Sequence, residues 1–410
     1  MTLIRTALVG YGYAGRHLHT PLIIGTPGLA LTDIVSRQPA QVAADLGAAV
    51  QVWPDLASLL AARRVELVVL ASPNALHAPQ AVAALQAGCH VVVDKPMALD
   101  HGEAQSMCVA ADAAGRHLSV FHNRRWDSDF LLLQQLLGQG TAAEADAAAA
   151  GLPRLGRLSH FEAHFDRYRP QVRDRWREGE GPGAGIWMDL GPHLLDQALQ
   201  LFGWPMAIQL DLRRERAGAL ADDAFDAVLR WAPAGASGDP DPQACLGLRA
   251  RLSASMLTAR PGPRFLLHGE AGSLRIEGLD GQETALKNGW SRLSLPWPYK
   301  VDGKSAPGIG EKPLRLEEAA ASVFRARPEP LGRAHYWPGN AAGLDTQVDP
   351  PGQPVALPAG DYPAYYAALR DAILGCGPCP APGRQASQVQ RLLDAGQLSA
   401  HERREVLLDR

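Results

Sequence analysis

The sequence predicts an α/β protein of two domains, a doubly wound parallel sheet over residues 1–122 and an α+β domain over residues 123–410. In the first domain, short apolar runs alternate with alanine-rich stretches, as in parallel strands joined by helical crossovers. In the second, strand-like runs follow one another, which favours a largely antiparallel sheet with its helices on one face. The length of 410 residues supports two domains, because one hydrophobic core seldom serves more than about 250–300 residues.

The predicted strands of the first domain are short, largely apolar and β-branched runs bounded by turn or charged residues, as expected of strands covered on both faces. These strands are predicted at residues 3–9, 31–35, 67–71, 90–93 and 118–121. Predicted helices lie between them, at residues 40–46, 79–87 and 102–114. This alternation indicates that helices cover both faces of the sheet.

The second domain contains a predicted helix over residues 192–202, followed by a run of predicted strands. The strands are predicted at residues 208–214, 224–231, 244–255 and 265–276. Two further helices are predicted, over residues 361–375 and from residue 384 onward. Segments rich in Gly, Ala or Pro are predicted to be surface loops, at residues 140–153, 233–242 and 288–360.

The composition argues against several classes of protein. Lys and Arg number 40 against 43 Asp and Glu, a net charge of −3, whereas nucleic-acid-binding proteins concentrate basic charge. The apolar stretches are far shorter than the roughly 20 residues of a membrane-spanning helix, and the first residues lack the apolar core of a signal peptide. Five scattered cysteines do not predict a disulfide framework. We therefore expect a cytoplasmic protein with neither nucleic-acid nor membrane partners.

The segment GYGYAG, residues 10–15, follows an apolar strand directly and opens a helical stretch. Its G-x-G-x-x-G pattern alone is weak, but its position between a strand and a helix is typical of a dinucleotide-binding turn. In such a turn the first glycine permits the bend, the second admits the pyrophosphate, and the third packs closely on the strand. The alternative is a glycine-rich turn without a ligand. The predicted cofactor-binding residues here are Gly10, Gly12, Tyr13, Ala14 and Gly15.

The residues at the end of the second strand decide which dinucleotide binds. An acidic residue there accepts hydrogen bonds from the ribose 2′-OH of NAD, whereas Arg accommodates the 2′-phosphate of NADP. The strand is predicted to end at Val35, so Ser36 and Arg37 occupy the deciding positions. Asp33 lies inside the strand, and we interpret it as structural. The preferred cofactor is therefore NADP(H), and NAD(H) is possible.

Three polar residues are candidates for proton transfer. Lys95 follows the predicted strand 90–93, at the carboxyl end of the sheet, where ligands bind in such folds. Asp189 and His193 are four residues apart, so they are neighbours in a helix, and a helix that starts at Pro192 also keeps them within reach. His is the natural acid or base near neutral pH, and a carboxylate beside it orients the ring. Taken singly, an exposed lysine or a structural Asp–His hydrogen bond is the commoner case.

Taken in order, these segments resemble the glucose–fructose oxidoreductase/inositol dehydrogenase family, called Gfo/Idh/MocA, over the whole chain. The resemblance begins at the glycine turn, which His19 and Pro21 follow. It continues with ASPN at 71–74 and His77, the stretch from Gly88 through DKP at 94–96, FHNRRWD at 121–127, and D-x-G-x-H at 189–193. The NRRWD motif and LGPHLLDQALQLFG at 190–203 resemble the scyllo-inositol dehydrogenase-like branch, which prefers NADP.

The resemblance implies a Rossmann domain and a second domain whose open-faced sheet roofs the substrate and joins subunits into a homodimer or homotetramer. It assigns proton transfer to Lys95 and His193, with support from Asp189, and implies that all three contact the substrate. Lys95 is also expected to contact the cofactor. Where the family usually has Glu-Lys-Pro, this chain has the shorter Asp94, so a looser or water-mediated cofactor contact is expected. The other residues that the resemblance assigns to the cofactor or substrate are Ser72, Asn74, His77, Asn123 and Arg124.

The predicted function is therefore that of an NADP(H)-dependent oxidoreductase. Its substrate would be a secondary alcohol of a sugar, inositol or related polyol, or the corresponding ketone. One alternative is a glycosidase or epimerase that retains its nicotinamide across turnover. The other is a dinucleotide-sensing regulator that lacks catalysis.

Two further motifs have simpler interpretations. His160 and His164 share one face of a strand-like segment; they could contact substrate, and sheet-surface histidines are at least as frequent. No metal site is predicted, because no spacing of ligands requires one. Cys376 and Cys379 form a C-x-x-C motif without a second cysteine pair, which favours an ordinary loop.

A run of alternating charges, residues 167–177, precedes the Asp189 motif. Runs of this kind are usually solvated surface. The alternative is that the run covers the active site and meets a polar or anionic substrate through Arg169, Arg173 or Arg175.

Overall fold

The computed structural model describes residues 3–137, 152–232, 247–288, 330, 332–339 and 352–409. These residues form two compact units, each discontinuous in sequence. The first unit takes the described residues of Met1–Trp126, Gly281–Glu329 and Gly360–Gln388. The second takes the described residues of Asp127–Asp280, Pro330–Ala359 and Val389–Arg410.

The first unit is built on a six-stranded sheet in which every pairing is parallel. Its strands are β1 Ile4–Val9, β2 Leu29–Val35, β3 Gln51–Trp53, β4 Leu67–Leu70, β5 His90–Val93 and β6 Leu118–Val120. The order β3-β2-β1-β4-β5-β6 is that of a doubly wound dinucleotide-binding sheet. All five predicted strands are confirmed. The strand β3 was not predicted, because a three-residue edge strand with an exposed Gln51 has little apolar signal.

The helices confirm the predicted stretches in the first domain and begin with a π-helical turn, Gly15–His19, that continues into α1. In chain order they are α1 Thr20–Ile24, α2 Pro39–Leu46, α3 Leu56–Ala61, α4 His77–Gln86, α5 His101–Ala114, α6 Ser128–Leu137, α7 Ile186–Phe202, α8 Gln282–Lys287, α9 Tyr362–Ile373 and α10 Gly383–Glu402. The boundary between the units falls inside α10, after Gln388. In the described ranges, no helix is both long enough and apolar enough to cross a lipid bilayer.

Helices cover both faces of the first sheet, as predicted for a doubly wound fold. Apolar residues of α3, α4 and α5 form one core with alternate strand residues. On the other face, α1 and α2 pack together with α9, whose Tyr362, Tyr365 and Tyr366 are fully buried. Helix α9, which lies within the last fifty residues of the chain, therefore completes the core of the parallel sheet.

In its described residues the second unit contains one sheet of nine strands, which are β7 Leu158–His164, β8 Ala207–Arg213, β9 Ala224–Arg230, β10 Arg249–Ser255, β11 Phe265–Gly269, β12 Gly272–Glu277, β13 Arg333–Pro338, β14 Gln353–Val355 and β15 Val406–Leu407. They are arranged in the order β14-β13-β12-β11-β7-β10-β9-β8-β15. Neighbouring strands are antiparallel except β7 and β10, which are parallel. The largely antiparallel sheet is therefore confirmed. Its apolar side chains form a single core with residues of α6, α7 and α10.

One strand prediction and one loop prediction for the second domain are wrong. The predicted strand over residues 265–276 is a hairpin, because the chain turns at Glu270 and Ala271 between β11 and β12. The segment 288–360 is not all loop, since β13 and β14 lie in its described part and extend the sheet beyond β12. The remainder of that segment, the predicted loop 233–242 and residues 140–151 of the loop at 140–153 lie outside the described residues.

Candidate functional site

The carboxyl edge of the first sheet brings most of the predicted cofactor residues together. The strand order reverses between β1 and β4, and in such sheets ligands bind beside that reversal, beyond the carboxyl ends of the strands. Each of five strands leads into a loop that carries predicted site residues. These are Gly10 to Gly15 after β1, Ser36 and Arg37 after β2, Ser72 to His77 after β4, Asp94 and Lys95 after β5, and Asn123 and Arg124 after β6.

The three glycines of the turn meet different constraints. Gly10 has φ +97°, and a Cβ there would lie 2.6 Å from the Ala71 carbonyl oxygen. At Gly15 a Cβ would lie 2.1 Å from the Gly10 carbonyl oxygen. Gly12 is different, since beyond its own residue and its two chain neighbours a Cβ there would meet no heavy atom of the described protein within 4 Å. Contacts within the protein therefore explain why positions 10 and 15 are glycine. The open space at Gly12 instead fits a pyrophosphate that approaches the backbone.

Asp45 of α2, a residue that the sequence analysis missed, anchors this turn. Its buried carboxylate pairs with Arg16 at 2.6 Å and accepts hydrogen bonds from Tyr11 Oη at 3.2 Å and Gln41 Nε2 at 2.9 Å. The turn is thus held to α2 before any ligand binds. Ala14 is half-buried beside it.

Tyr13 and Arg124 are joined through Glu283, a second residue that the sequence analysis missed. Tyr13 is half-exposed, and its hydroxyl donates to Glu283 Oε1 at 3.2 Å. Arg124 is buried; its Nη2 lies 2.6 Å from Glu283 Oε2 and its Nη1 donates to Tyr362 Oη at 3.2 Å. Arg124 therefore ties α8 and α9 to the loop after β6, while its predicted contact with cofactor or substrate stays a prediction. Asn123 is buried next to it.

At the end of β2, the structural interpretation of Asp33 is confirmed. Its carboxylate is fully buried and accepts hydrogen bonds from Thr32 Oγ1 and Trp53 Nε1, both at 2.7 Å. Ser36 Oγ accepts a hydrogen bond from the Gln38 backbone N–H at 3.0 Å, and Arg37 is exposed. With Asp33 engaged inside the protein, Arg37 is the exposed charged side chain at this strand end.

The loops after β4 and β5 are linked by His77. Both ring nitrogens of this buried side chain lie 2.9 Å from backbone carbonyl oxygens, Nδ1 from that of Pro96 and Nε2 from that of Ser72. Ser72 Oγ donates to Gln80 Oε1 at 2.6 Å, and Asn74 is buried. His77 thus braces the loop that presents Lys95.

Asp94 and Lys95 leave β5 in a tight local arrangement. Asp94 is largely buried, and its Oδ1 accepts a hydrogen bond from the backbone N–H of Lys95 at 2.8 Å. The shorter carboxylate therefore turns back on its own loop. The Lys95 side chain is half-buried.

His19 lies fully buried at the end of the π-helical turn. Its Nδ1 is 2.6 Å from Tyr366 Oη, and its ring packs against Phe121. Burial lowers the pKa of His19 to about 4, only partly opposed by the negative charge of Asp94. The imidazole is therefore neutral in the folded protein at neutral pH.

We expect the stability of the protein to fall on acidification because of His19. Its pKa of about 4 in the folded state lies below the unfolded value of 6.5, so the unfolded state binds the proton more readily. The stability that is present above pH 6.5 is therefore lost progressively as the pH falls to 4. Between pH 7.5 and 5 the loss from this group is about 2 kcal/mol. Unfolding in urea at both pH values, with His19→Gln and the exposed control His401→Gln, measures it. Identical pH profiles for His19→Gln and the wild type would contradict the assignment.

In the second unit, α7 carries Asp189 and His193. The helix starts at Ile186, so the predicted start at residue 192 is wrong and Pro192 lies inside the helix. Asp222 explains the earlier start, because its Oδ2 accepts the Trp187 backbone N–H at 2.8 Å and so caps the first turn. A capping partner 35 residues away has no local sequence signal.

The longer helix decides between the two geometries considered for Asp189 and His193. They lie one turn apart on one face of α7. Asp189 stands in the first turn, where the helix dipole favours a carboxylate, and its Oδ1 is 3.8 Å from Arg177 Nε. His193 is buried, with its ring stacked 6.3 Å from that of Phe165. This placement suits an oriented acid or base, and the roles of both residues stay predictions.

The histidines of β7 form a cluster on the sheet. His160 Nε2 and His164 Nε2 each lie 2.8 Å from a different oxygen of Glu162, and His164 Nδ1 is 2.6 Å from Ser253 Oγ. Burial is the largest single influence on the pKa of the Glu162 carboxyl, and it acts to raise that pKa. The hydrogen bonds from His160 and His164, together with the charges of the two rings, outweigh burial, so the pKa of Glu162 is lowered. No group of three or more His, Cys, Asp or Glu able to hold a metal ion occurs in the described part of the chain.

Cys376 and Cys379 lie in the connection between α9 and α10, which confirms the loop interpretation. Both thiols are free. Burial raises the pKa of the Cys379 thiol, which makes it less nucleophilic. Neither observation points to redox or metal chemistry.

Two family models match the chain. The model for an oxidoreductase family with an NAD-binding Rossmann fold, GFO/IDH/MocA, matches residues 4–122. The model for the GFO/IDH/MocA C-terminal domain matches residues 152–275. Together they cover more than half of the sequence and one model falls in each predicted domain.

Similar proteins extend the match over nearly the whole chain. The uncharacterized oxidoreductase YdgJ of Escherichia coli (strain K12) is 42% identical, over 98% of this chain and 97% of that protein. The scyllo-inositol 2-dehydrogenase (NADP(+)) IolW of Bacillus subtilis (strain 168) is 28% identical, over 99% of this chain and 96% of that one. The solved structure of a Yersinia pestis protein classed as an oxidoreductase has a TM-score of 0.77 at 37% identity, over 100% of this chain and 98% of that one.

Proposed function

This chain belongs to the GFO/IDH/MocA oxidoreductase family, and we propose that it is an NADP(H)-dependent enzyme acting on a sugar, inositol or related polyol. The reaction would interconvert a secondary alcohol and its ketone. The observation that carries the proposal is the space left at Gly12, a backbone approach that the protein does not fill itself. The similarity to IolW, named for scyllo-inositol and NADP(+), supports this choice of substrate class and cofactor.

The residues at the carboxyl edge of the first sheet suit a dinucleotide. The glycine turn would present backbone N–H groups to the pyrophosphate, and the following helical turn adds its positive end. Ser72, Asn74, His77 and Asp94 would line the nicotinamide side. When bound, the nicotinamide accepts a hydride from the carbinol carbon or returns one to the ketone.

Lys95 and His193 would manage the proton of the reacting hydroxyl. During oxidation His193 takes the hydroxyl proton, and in the reverse direction it returns a proton to the carbonyl oxygen. The Lys95 ammonium stabilises the negative charge that develops on that oxygen. Asp189, one turn before His193, orients the ring and contacts the substrate.

The preference for NADP(H) over NAD(H) is proposed from the end of β2. Asp33, the acidic residue of β2, is engaged with Thr32 and Trp53. Arg37 is exposed there, and its guanidinium can bind a 2′-phosphate through charge-assisted hydrogen bonds.

The enzyme is also proposed to act as a cytoplasmic homodimer or homotetramer that associates through the sheet of the second unit. The apolar side chains of that sheet face the helices, and alternate residues such as His160, Glu162 and His164 face the other way. No nucleic-acid or membrane partner is proposed.

The proposal is tested by cofactor binding and turnover. Tryptophan fluorescence should change on addition of NADPH with a lower Kd than for NADH, and the absorbance of reduced nicotinamide should grow when NADP and a member of a polyol panel are added. Arg37→Ala should raise the Kd for NADPH about 10- to 100-fold, through loss of a charged contact, and that for NADH less than about twofold. Arg384→Ala, which removes an exposed side chain paired with Asp112, is the control.

Each result contradicts a different part of the proposal. An absence of binding by both dinucleotides would refute the assignment of the glycine turn. Equal effects of Arg37→Ala on NADPH and NADH would refute the cofactor preference. Tight binding without any turnover of the panel would favour an enzyme that retains its cofactor or a dinucleotide-sensing regulator.

A further inference from the structure

An arginine-rich segment, residues 166–185, leads directly into α7 and is held in place by buried ion pairs. Arg216 is buried and pairs with Asp223 at 2.8 Å and with Glu178 at 3.0 Å. Glu178 is also buried, and its Oε1 accepts a hydrogen bond from Arg175 Nε at 2.6 Å. These buried ion pairs hold the middle of the segment in place.

Arg216 also sets the path of the backbone before Glu178. Its Nη1 donates to the carbonyl oxygens of Arg169 at 3.1 Å and Gln171 at 3.2 Å. The backbone N–H of Arg169 in turn donates to the Met256 carbonyl oxygen at 2.7 Å. Arg169 therefore projects from a backbone that is held on both sides.

The carboxylates around Arg169 are already engaged with other arginines. Glu178 is shared by Arg175 and Arg216, and Asp189 lies 3.8 Å from Arg177. Within the described ranges, no carboxylate lies within the 4.0 Å ion-pair distance of Arg169. The other acidic residues of the segment are Asp166, whose Oδ1 accepts a hydrogen bond from the Ser255 backbone N–H at 3.2 Å, and the exposed Asp174 and Glu180.

The surroundings of Arg169 disfavour an uncompensated positive charge. Its side chain is half-buried, and burial lowers the pKa of its guanidinium, as do the neighbouring charges of Arg173 and Arg175. Asp189 and Glu178 oppose this shift only in part. A half-buried cation with like-charged neighbours is stabilised by an added anion.

We propose that Arg169, assisted by Arg173, binds an anionic group of the substrate, a carboxylate or a phosphate. This inference rests on the proposed function and narrows its substrate class from neutral polyols to anionic sugars, such as sugar acids or sugar phosphates. The segment that carries Arg169 leads directly into α7, and its Arg177 lies 3.8 Å from Asp189, one turn before His193, so the anionic group would lie near the part of α7 that carries the proposed base. Arg is suited to this task, because its planar donors match both carboxylate and phosphate oxygens.

The test measures binding and turnover separately on the protein saturated with NADPH or NADP. Isothermal titration compares glucose, glucuronate and glucose 6-phosphate, and the same three compounds are assayed as substrates. We expect at least one anionic sugar to bind about tenfold or more tightly than glucose. Whichever of glucuronate and glucose 6-phosphate binds more tightly shows whether the site prefers a carboxylate or a phosphate. Arg169→Gln should weaken that binding about 10- to 100-fold, as for one charge-assisted hydrogen bond, and leave glucose binding unchanged.

Matched variants separate this role from a structural one. Arg169→Lys keeps the charge and should restore part of the affinity, Arg173→Gln should show a smaller loss, and the exposed Arg384→Gln should show none. Thermal unfolding of Arg169→Gln identifies any loss of fold, in which case Arg169→Lys and Arg173→Gln carry the test.

The inference is overturned if neither anionic sugar binds more tightly than glucose, or if Arg169→Gln and Arg173→Gln affect all three compounds equally. Binding decides this point whether or not any of the compounds is turned over. Failure of turnover with every sugar and polyol tested, despite tight anion binding, would instead refute the proposed dehydrogenase reaction.

Discussion

Replacing His193 by Asn is expected to lower kcat by about 10²- to 10⁴-fold, the usual contribution of a positioned general base. The variant retains a polar side chain of similar size at a buried position of α7 but cannot accept the hydroxyl proton. Lys95→Met should reduce kcat similarly, because it removes the ammonium that stabilises the developing alkoxide. Stopped-flow or steady-state absorbance of reduced nicotinamide measures both variants.

NADPH binding separates a chemical role from a structural one in these variants. The Kd for NADPH of His193→Asn should match that of the wild type, and Lys95→Met should change it only slightly. The exposed His401→Asn serves as the control for a histidine replacement. Unchanged kcat in His193→Asn, or loss of NADPH binding that accounts for all lost activity, would contradict the assigned role.

Replacing Gly12 by Val should weaken NADPH binding by about 100-fold or more without destabilising the protein. The new side chain would occupy the space that the pyrophosphate needs and would cost two or more charge-assisted hydrogen bonds. Beyond Gly12 itself and its two chain neighbours, no described heavy atom lies within 4 Å of the new Cβ, so the free energy of unfolding should change by less than about 0.5 kcal/mol. Fluorescence titration and urea unfolding test the two parts.

Gly15→Ala gives the matched contrast to Gly12→Val. Its Cβ would lie 2.1 Å from the Gly10 carbonyl oxygen, so the turn must shift. We expect a destabilisation of about 1–3 kcal/mol before any ligand is added. Weakened NADPH binding in Gly15→Ala without a change in stability, or destabilisation in Gly12→Val, would show that the two glycines have been assigned the wrong constraints.

The sequence alone determined five of the six strands of the first sheet and its glycine turn. Parallel strands that are buried on both faces are largely apolar, so β1, β2, β4, β5 and β6 carry their signal within a few residues. The glycine turn is equally local, because strand, turn and helix start lie within about a dozen residues. Its identification needed no knowledge of the rest of the chain.

Only the tertiary structure decided how the predicted site residues are held. Arg124 binds Glu283 and Tyr362, which lie 159 and 238 residues away, and Asp222 caps α7 from 35 residues away. The start of α7, and with it the alignment of Asp189 and His193, depends on that cap. Such contacts leave no mark on the local sequence, because hydrophobic periodicity and turn residues report the neighbours of a residue along the chain. The partners of a buried charge are set instead by chain packing, which brings distant segments within hydrogen-bond distance.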